Sequence, residues 1–367
     1  MKRDASQDVR LLNRHSLLIL AVLLLVLPAA VSAQDEDHQP FLPSPVQSVS
    51  TVPTNGDVNP YGVAFVPREF PQGTAKPGDI LVSNFNAVSN LQGTGTTIVD
   101  ISPTGVQTLF FQSPTPTGLS TALNISRKGF VLVGNFPSPD GTCGNATPGS
   151  ILVINSSGKQ VGSIADSSIN GPWDSALFEE GDSAKFFVAN GLSGTVVRLD
   201  LKISSSGVSV KNVTQIASGY LHQCDPVTFV DAPTGLVYDA DRDVLYVASS
   251  DDNAVFAVSN AGATEKDHGT GRIIYQDNVH LHGPLGMIMA PNGHLVVANN
   301  DAINPDPNQP SEIVEFTIGG KFVKEISVDP NPGGSFGLAV SSHDDVARFA
   351  AVDDNTSTLL IWTLPLP

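Results

Sequence analysis

From residue 59 onward the chain repeats one pattern of apolar and polar positions six times. A unit opens on proline, any residue, glycine and then an apolar alternation: NPYGVAFV (59–66), TPTGLSTAL (115–123), APTGLVYD (232–239) and GPLGMIMA (283–290). GPWDSALF (171–178) fits the frame with Asp174 in the glycine slot, and GSFGLAVS (334–341) fits without the proline. The slots fall at 62, 118, 174, 235, 286 and 337, a period of 51–61 residues. Every unit continues with a second apolar run, from DILVSNF (79–85) to ARFAAVDD (347–354). A third follows, from TTIVDIS (96–102) to STLLIWTL (357–364). Short β-branched and aromatic runs bounded by Gly, Asn, Asp and Pro predict strands, and no stretch holds a helical period long enough to predict a helix.

A fourth strand is predicted in the first five units, from VQTLFFQ (106–112) to KFVKEISV (321–328). The sixth unit stops after its third strand, at Pro365, while VQSVSTV (46–52) precedes the first unit and has no partner there. Placing 46–52 as the outer strand of the last unit completes it and joins the two ends of the ring. The pattern therefore predicts an all-β fold, a six-bladed β-propeller of four-stranded antiparallel blades closed by an N-terminal strand.

The first 33 residues do not belong to that pattern. Lys2, Arg3, Arg10 and Arg14 precede the apolar run Leu17 to Leu27, and Val31-Ser32-Ala33 supplies small residues for cleavage. This is the grammar of a secretory signal peptide. The run is shorter than the roughly 20 apolar residues of a spanning helix. The expected organisation is a signal peptide at 1–33, a disordered acidic lead-in at 34–45 and the propeller at 46–367. The expected location is extracellular or periplasmic, with no membrane span after cleavage. Net charge over the whole chain is −17, and the leader carries four basic and two acidic side chains, so the remainder is still more acidic. Such a chain repels nucleic acid and anionic surfaces. Cys143 and Cys224 are the only cysteines. Both fall in loops expected on one face, which makes them a disulfide candidate in an exported protein.

The P-x-G-(V/L) opening, the following (L/F)-V-(A/S)-(N/S) run and the short third strand resemble NHL-repeat propellers and the related gluconolactonase/senescence-marker superfamily. The resemblance spans about residues 46–365. In the lactonase branch it implies a divalent metal at the top of the central channel, held by a Glu before Gly-Pro and by Asn or Asp just before the first-strand glycine. Here the residues before the slots are Tyr61, Thr117, Trp173, Thr234, Leu285 and Phe336, and those before the Gly-Pro pairs are Asn170 and His282. The lactonase ligand set is therefore not carried over.

In such propellers the loops from fourth to first strand and from second to third share one face, the usual seat of a ligand. Loops 84–95, 135–149, 299–311 and 218–232 are long and would wall a cleft there. Asn84, Asn135, Asn190, Asp251, Asp252, Asn299, Asp301, Asp353 and Asp354 end second strands, where they serve turns or offer oxygen ligands. Two residues before the proline in blades 3, 4 and 5 stand Asn170, Asp231 and His282, with Asp174 nearby and His280 expected to point the same way as His282. Asn170, Asp174, Asp231 and His282 are the candidate ligand-binding residues. Carboxylates with histidine also suit a divalent metal or an acid–base pair. The reading is a binding module that takes a small molecule, glycan or protein on its loop-rich face. The alternative is a divergent lactonase-like hydrolase or lyase with a polar or metal centre at the channel mouth.

Overall fold

The structure, a computed structural model, describes residues 40–42 and 46–366. The expected signal peptide and most of the expected lead-in lie outside them. Blades 1 to 5 are β2–β5 (58–112), β6–β9 (119–164), β10–β13 (172–218), β16–β19 (233–276) and β20–β23 (284–327). Each is a four-stranded antiparallel sheet in chain order. The sixth blade joins β24–β26 (335–365) to β1 (Gln47–Ser50), with Gln47 opposite Ile361 and Ser50 opposite Thr358. Closure by the N-terminal strand is thus the observed arrangement. The first strands β2, β6, β10, β16, β20 and β24 neighbour one another in turn, and β24 meets β2 to complete the ring.

Alternation along the strands buries apolar side chains between successive blades, so the core is a set of inter-blade layers. Blades 5 and 6, for example, enclose Ala298, Ile313, Leu338, Phe349 and Trp362. Pro40 to Leu42 add to this layer. Both Glu315 carboxylate oxygens accept from the Phe41 amide at 2.9 and 2.8 Å, and Leu42 is buried beside them. The Lys324 ammonium donates to the Leu42 carbonyl at 3.0 Å. This short stretch within the expected lead-in is docked on the ring.

One element lies outside the six-blade plan. β14 (Gln223–Asp225) and β15 (Phe229–Asp231) form a two-stranded hairpin inside the long loop that leads into blade 4.

Candidate functional site

The neck of the channel explains the repeated glycine. In all six blades the pairing of first and second strands shifts register at or beside the slot, as between Pro60 and Val63, Pro284 and Met287, or Ser335 and Leu338. Such bulges bend the innermost strands where they converge. A Cβ built on Gly337 would lie 2.0 Å from the Tyr61 carbonyl oxygen, and one on Gly235 would lie 2.2 Å from that of Leu285. Neighbouring backbones approach too closely there for a side chain.

Four of the six residues just before the slots belong to one buried cluster at the neck. Tyr61, Trp173, Leu285 and Phe336 join Phe85, Phe136 and Phe229 in one buried cluster. Tyr61 stacks between Phe85 and Phe336 at centroid distances of 4.6 and 4.5 Å. Trp173 meets Tyr61, Phe85 and Phe136 edge-on and stacks with Phe229. Where the resemblance would put metal ligands, this chain has an aromatic plug. Those donors do not fit a divalent metal at the neck, since hard cations need oxygen ligands. Among the described residues no group of three or more His, Cys, Asp or Glu is placed to hold a metal ion.

Two cavities lie along the channel on either side of this layer. The lower one, about 440 Å³, is lined by first-strand residues at or after the slots, such as Val63, Leu123, Asp174, Leu236, Met287 and Leu338. The upper one, about 520 Å³, is a cup on the loop face. Tyr61 and Phe336 form its floor, and Asp225, Asp231, Asp301 and Asp354 stand in its wall with Asn59, Gln92, Asn300 and Asn355. Among the described residues no Lys, Arg or His lines it.

Sequence-distant loops build this cup. The β14–β15 hairpin supplies Asp225, Val227, Thr228 and Asp231. Its Asp225 Oδ1 accepts from the amides of Val227 and Thr228 at 2.7 and 2.9 Å, which makes the tip a tight turn. Phe229 takes a positive φ of 73° and packs its ring into the plug against Phe85 and Phe136. Cys224 is joined to Cys143 of loop 135–149 by a disulfide, with Cα atoms 5.4 Å apart. Gln92 of loop 84–95 donates to the Val227 carbonyl at 2.8 Å. From loop 299–311, Asp301 Oδ2 accepts from the amides of Ser311 and Gly333 at 2.8 Å each, tying blades 5 and 6 together. All four long loops thus either line the cup or hold a wall of it.

Two of the four cup carboxyls, Asp231 and Asp354, are poorly compensated, whereas Asp225, against the cost of burial, is held below the ordinary range by the hydrogen bonds it accepts. Asp231 is raised to about 6, mainly by burial, with Asp225 and Asp251 adding repulsion against the hydrogen bond from Thr228. Asp354 is raised to about 7 by burial and by Asp353. Burial and the nearby charges of Asp354 and Asp231 hold the Tyr61 hydroxyl well above its ordinary range, against a hydrogen bond from Asn59. Asn59 and Asp301, 6% and 8% exposed, each keep one side-chain oxygen without a hydrogen-bond partner.

The four residues singled out from the sequence do not share one cavity. Asp231 lines the cup. Asp174 lines the lower cavity, where burial drives its carboxyl well above the usual range. Asn170 donates its amide to Asn190 Oδ1 at 2.9 Å and supports the turn before blade 3. His282 is buried, with Nε2 3.2 Å from the Val279 carbonyl and 3.8 Å from Glu312. Glu312 is itself raised to about 8 by burial and by Asp301. His280 points elsewhere than expected: it stacks on Phe322 at 3.7 Å and meets Glu325 at 2.8 Å. The segment is not extended, because Asp277 Oδ1 gathers the amides of Val279, His280 and Leu281 into a turn. Most of the strand-ending amides bind their surroundings, as Asn84 does to the Thr51 carbonyl and Asn299 to that of His280. Asp301 and Asp354 belong to that same group and reach the cup. Tyr61 and Phe336, noticed only as missing ligands, form its floor.

No protein-family model and no curated protein matches the sequence. Solved structures do. The calcium-binding protein regucalcin from Agrobacterium tumefaciens shares 11% identity over 87% of this chain and 95% of its own, with a TM-score of 0.51. A functionally unknown protein from Desulfotomaculum acetoxidans shares 13% identity over 84% and 83%, also at 0.51. A glucose-dehydrogenase-type oxidoreductase from Thermus thermophilus shares 12% over 87% and 100%, at 0.50. At these identities the likeness is one of fold alone: the chain is a six-bladed β-propeller, as its own sheet topology shows.

Proposed function

We propose that the protein is a secreted binding propeller whose ligand seat is the cup on its loop face. The observation that carries this is convergence: four long loops, a disulfide and an aromatic plug hold one concave site of about 520 Å³, a size that suits a small molecule. The disulfide and the leader grammar of 1–33 both favour an oxidising compartment outside the cytoplasm. The test is a metabolite library of lactones, sugars and amines, read by thermal shift on the chain purified without 1–33. Each hit is repeated on Ala302→Trp, which fills the cup. Hits abolished by the variant support the reading; hits indifferent to it, or none, refute it.

A second reading is hydrolysis of a lactone or ester. It is favoured by two carboxyls poised near neutrality, Asp231 and Asp354, both acting on Tyr61. A carboxyl that changes protonation near neutral pH is the equipment of a general acid or base. Turnover of a lactone panel, lost in Asp231→Asn and Asp354→Asn, would move the protein to this class.

A further inference from the structure

We propose that the ligand of the cup is an organic cation, a substituted ammonium whose charge meets Asp231 and Asp354 while its alkyl groups rest on Phe336. The inference rests on the cup being the binding seat and adds the chemical class of what it takes.

Three independent observations converge on that class. Among the described residues the wall carries four carboxylates and no cationic side chain, so its field is negative and uncompensated from within. The floor and rim are apolar: Phe336 and Tyr61 below, Pro305, Pro332 and Val227 around. An aromatic face next to carboxylates attracts a cation that can shed water, and alkylated ammonium groups shed it most easily. Finally, Asn59 and Asp301 both line the cup, are more than nine-tenths buried and each keep one buried side-chain oxygen without a hydrogen-bond partner. Buried oxygens without a donor call for one, and an ammonium N–H is a donor with the right charge. The raised carboxyls of Asp231 and Asp354 fit the same picture, since a bound cation would relieve their repulsion and draw them back toward ionisation.

A small inorganic cation suits the cup less well. Divalent ions ask for several oxygens around one point. The described acidic and histidine side chains form no such group, and aromatic and proline surfaces would replace oxygen ligands around the ion. An anion or a phosphorylated ligand would meet a wall of carboxyl groups, and its own charge would push the raised ones still further toward the neutral form.

The experiment titrates the chain lacking 1–33 with choline chloride and with n-butylammonium chloride by calorimetry at fixed ionic strength. The neutral counterpart n-butanol, sodium acetate and calcium chloride are run beside them. Asp231→Asn, Asp354→Asn and Ala302→Trp are titrated too, with Asp182→Asn, an exposed partner of Lys128, as the control. Expected is saturable binding of at least one ammonium and none of butanol or acetate. Its Kd should be weakened about tenfold or more by each cup Asn variant, abolished by Ala302→Trp and unchanged by Asp182→Asn. Butanol binding as well as the ammonium, or Asn variants that bind the ammonium like the parent, would overturn the cation class. Saturation by calcium alone would overturn it as well. If a lactone or sugar from the library binds and Ala302→Trp abolishes it while ammonium does not bind, the cup stands as the seat and only the cation falls. If nothing that binds is sensitive to Ala302→Trp, both fall.

Discussion

Replacing Cys143 and Cys224 together by serine tests how the cup is held. The two residues are 81 positions apart in sequence, and closing a loop of that length removes chain entropy worth about 4.5 kcal/mol from the unfolded state at room temperature. A domain of this size unfolds with an entropy of roughly 0.7 kcal/mol per kelvin, so the whole effect would lower Tm by about 6–7 °C. That is an upper bound, because unfolded chains retain structure that already shortens the loop. The native-state effect is local. Cys224 sits in β14, and the hairpin it belongs to is also anchored by Phe229 in the plug, by the Gln92 bond to Val227 and by the Gln223 side-chain amide, which donates to Asp251 at 2.8 Å. The hairpin should therefore stay docked but open more often. Thermal melts by circular dichroism of the parent, the reduced parent and the double variant give the first number. Hydrogen exchange over 221–231 gives the second, with faster exchange expected there and little change in β16–β19. A Tm drop under about 1 °C with unaltered exchange in the hairpin would refute the reasoning, and would mean that the remaining anchors fix the wall without the disulfide.

Three further outcomes follow from the same geometry. Gly337→Ala should cost about 1–3 kcal/mol in urea unfolding, because its Cβ would press on the Tyr61 carbonyl. Gly144→Ala has nothing within 4 Å and should stay within about 0.5 kcal/mol. A chain starting at residue 51 loses β1 and the Phe41–Glu315 contact, so it should melt lower and aggregate through the exposed edge of β26, measurable by light scattering. Asp354 and Asp231 have folded-state pKa values of about 7 and about 6, above the ordinary carboxyl value. The folded protein therefore holds more protons than the unfolded chain between about pH 4 and 7, so their contribution to stability is lost as pH rises through that window. Tm of Asp354→Asn should fall less from pH 5 to pH 8 than that of the parent; an equal fall would remove Asp354 from the account.

The ring was legible because its constraint is periodic. The sequence repeats a glycine at 62, 118, 235, 286 and 337, and at 62, 235, 286 and 337 a Cβ would press on the backbone of the neighbouring blade's first strand. The closing strand was legible from a missing partner, since a three-stranded last blade leaves an edge that 46–52 can cover. The cup was less so. Its parts come from the turns before blades 1 and 6, from the hairpin before blade 4 and from the tight turn at Asp354, with no common spacing. Positional reasoning found Asp231 because it sits in a repeated slot. It grouped Asn170 and His282 with Asp231 for the same reason, although Asn170 serves its turn through its backbone N–H to Asn190 Oδ1 and the His282 ring turns to the Val279 carbonyl. An Asx turn at Asp277, invisible to a period-two reading, separates His280 from His282.

The neck leaves no place for a polar centre among its aromatic side chains. In a propeller the residues before the slot glycines are the ones that converge on the axis, and whatever they carry decides what the channel can hold. Carboxylates and amides there would make a ligand set. Tyr61, Trp173, Leu285 and Phe336 make a dry cluster, with the Trp173 indole nitrogen left without a partner inside it. Such a layer stabilises by burial and stacking, and it bars a polar centre at that level. It also supplies what a loop-built site otherwise lacks, a rigid base. Phe229 and Phe336 each belong both to the plug and to an element of the cup wall or floor, so the loops above are ordered by the same aromatic contacts that close the neck. The polar groups are then free to stand one layer higher, at the ends of loops, where Asp231 and Asp354 face a cavity open to solvent.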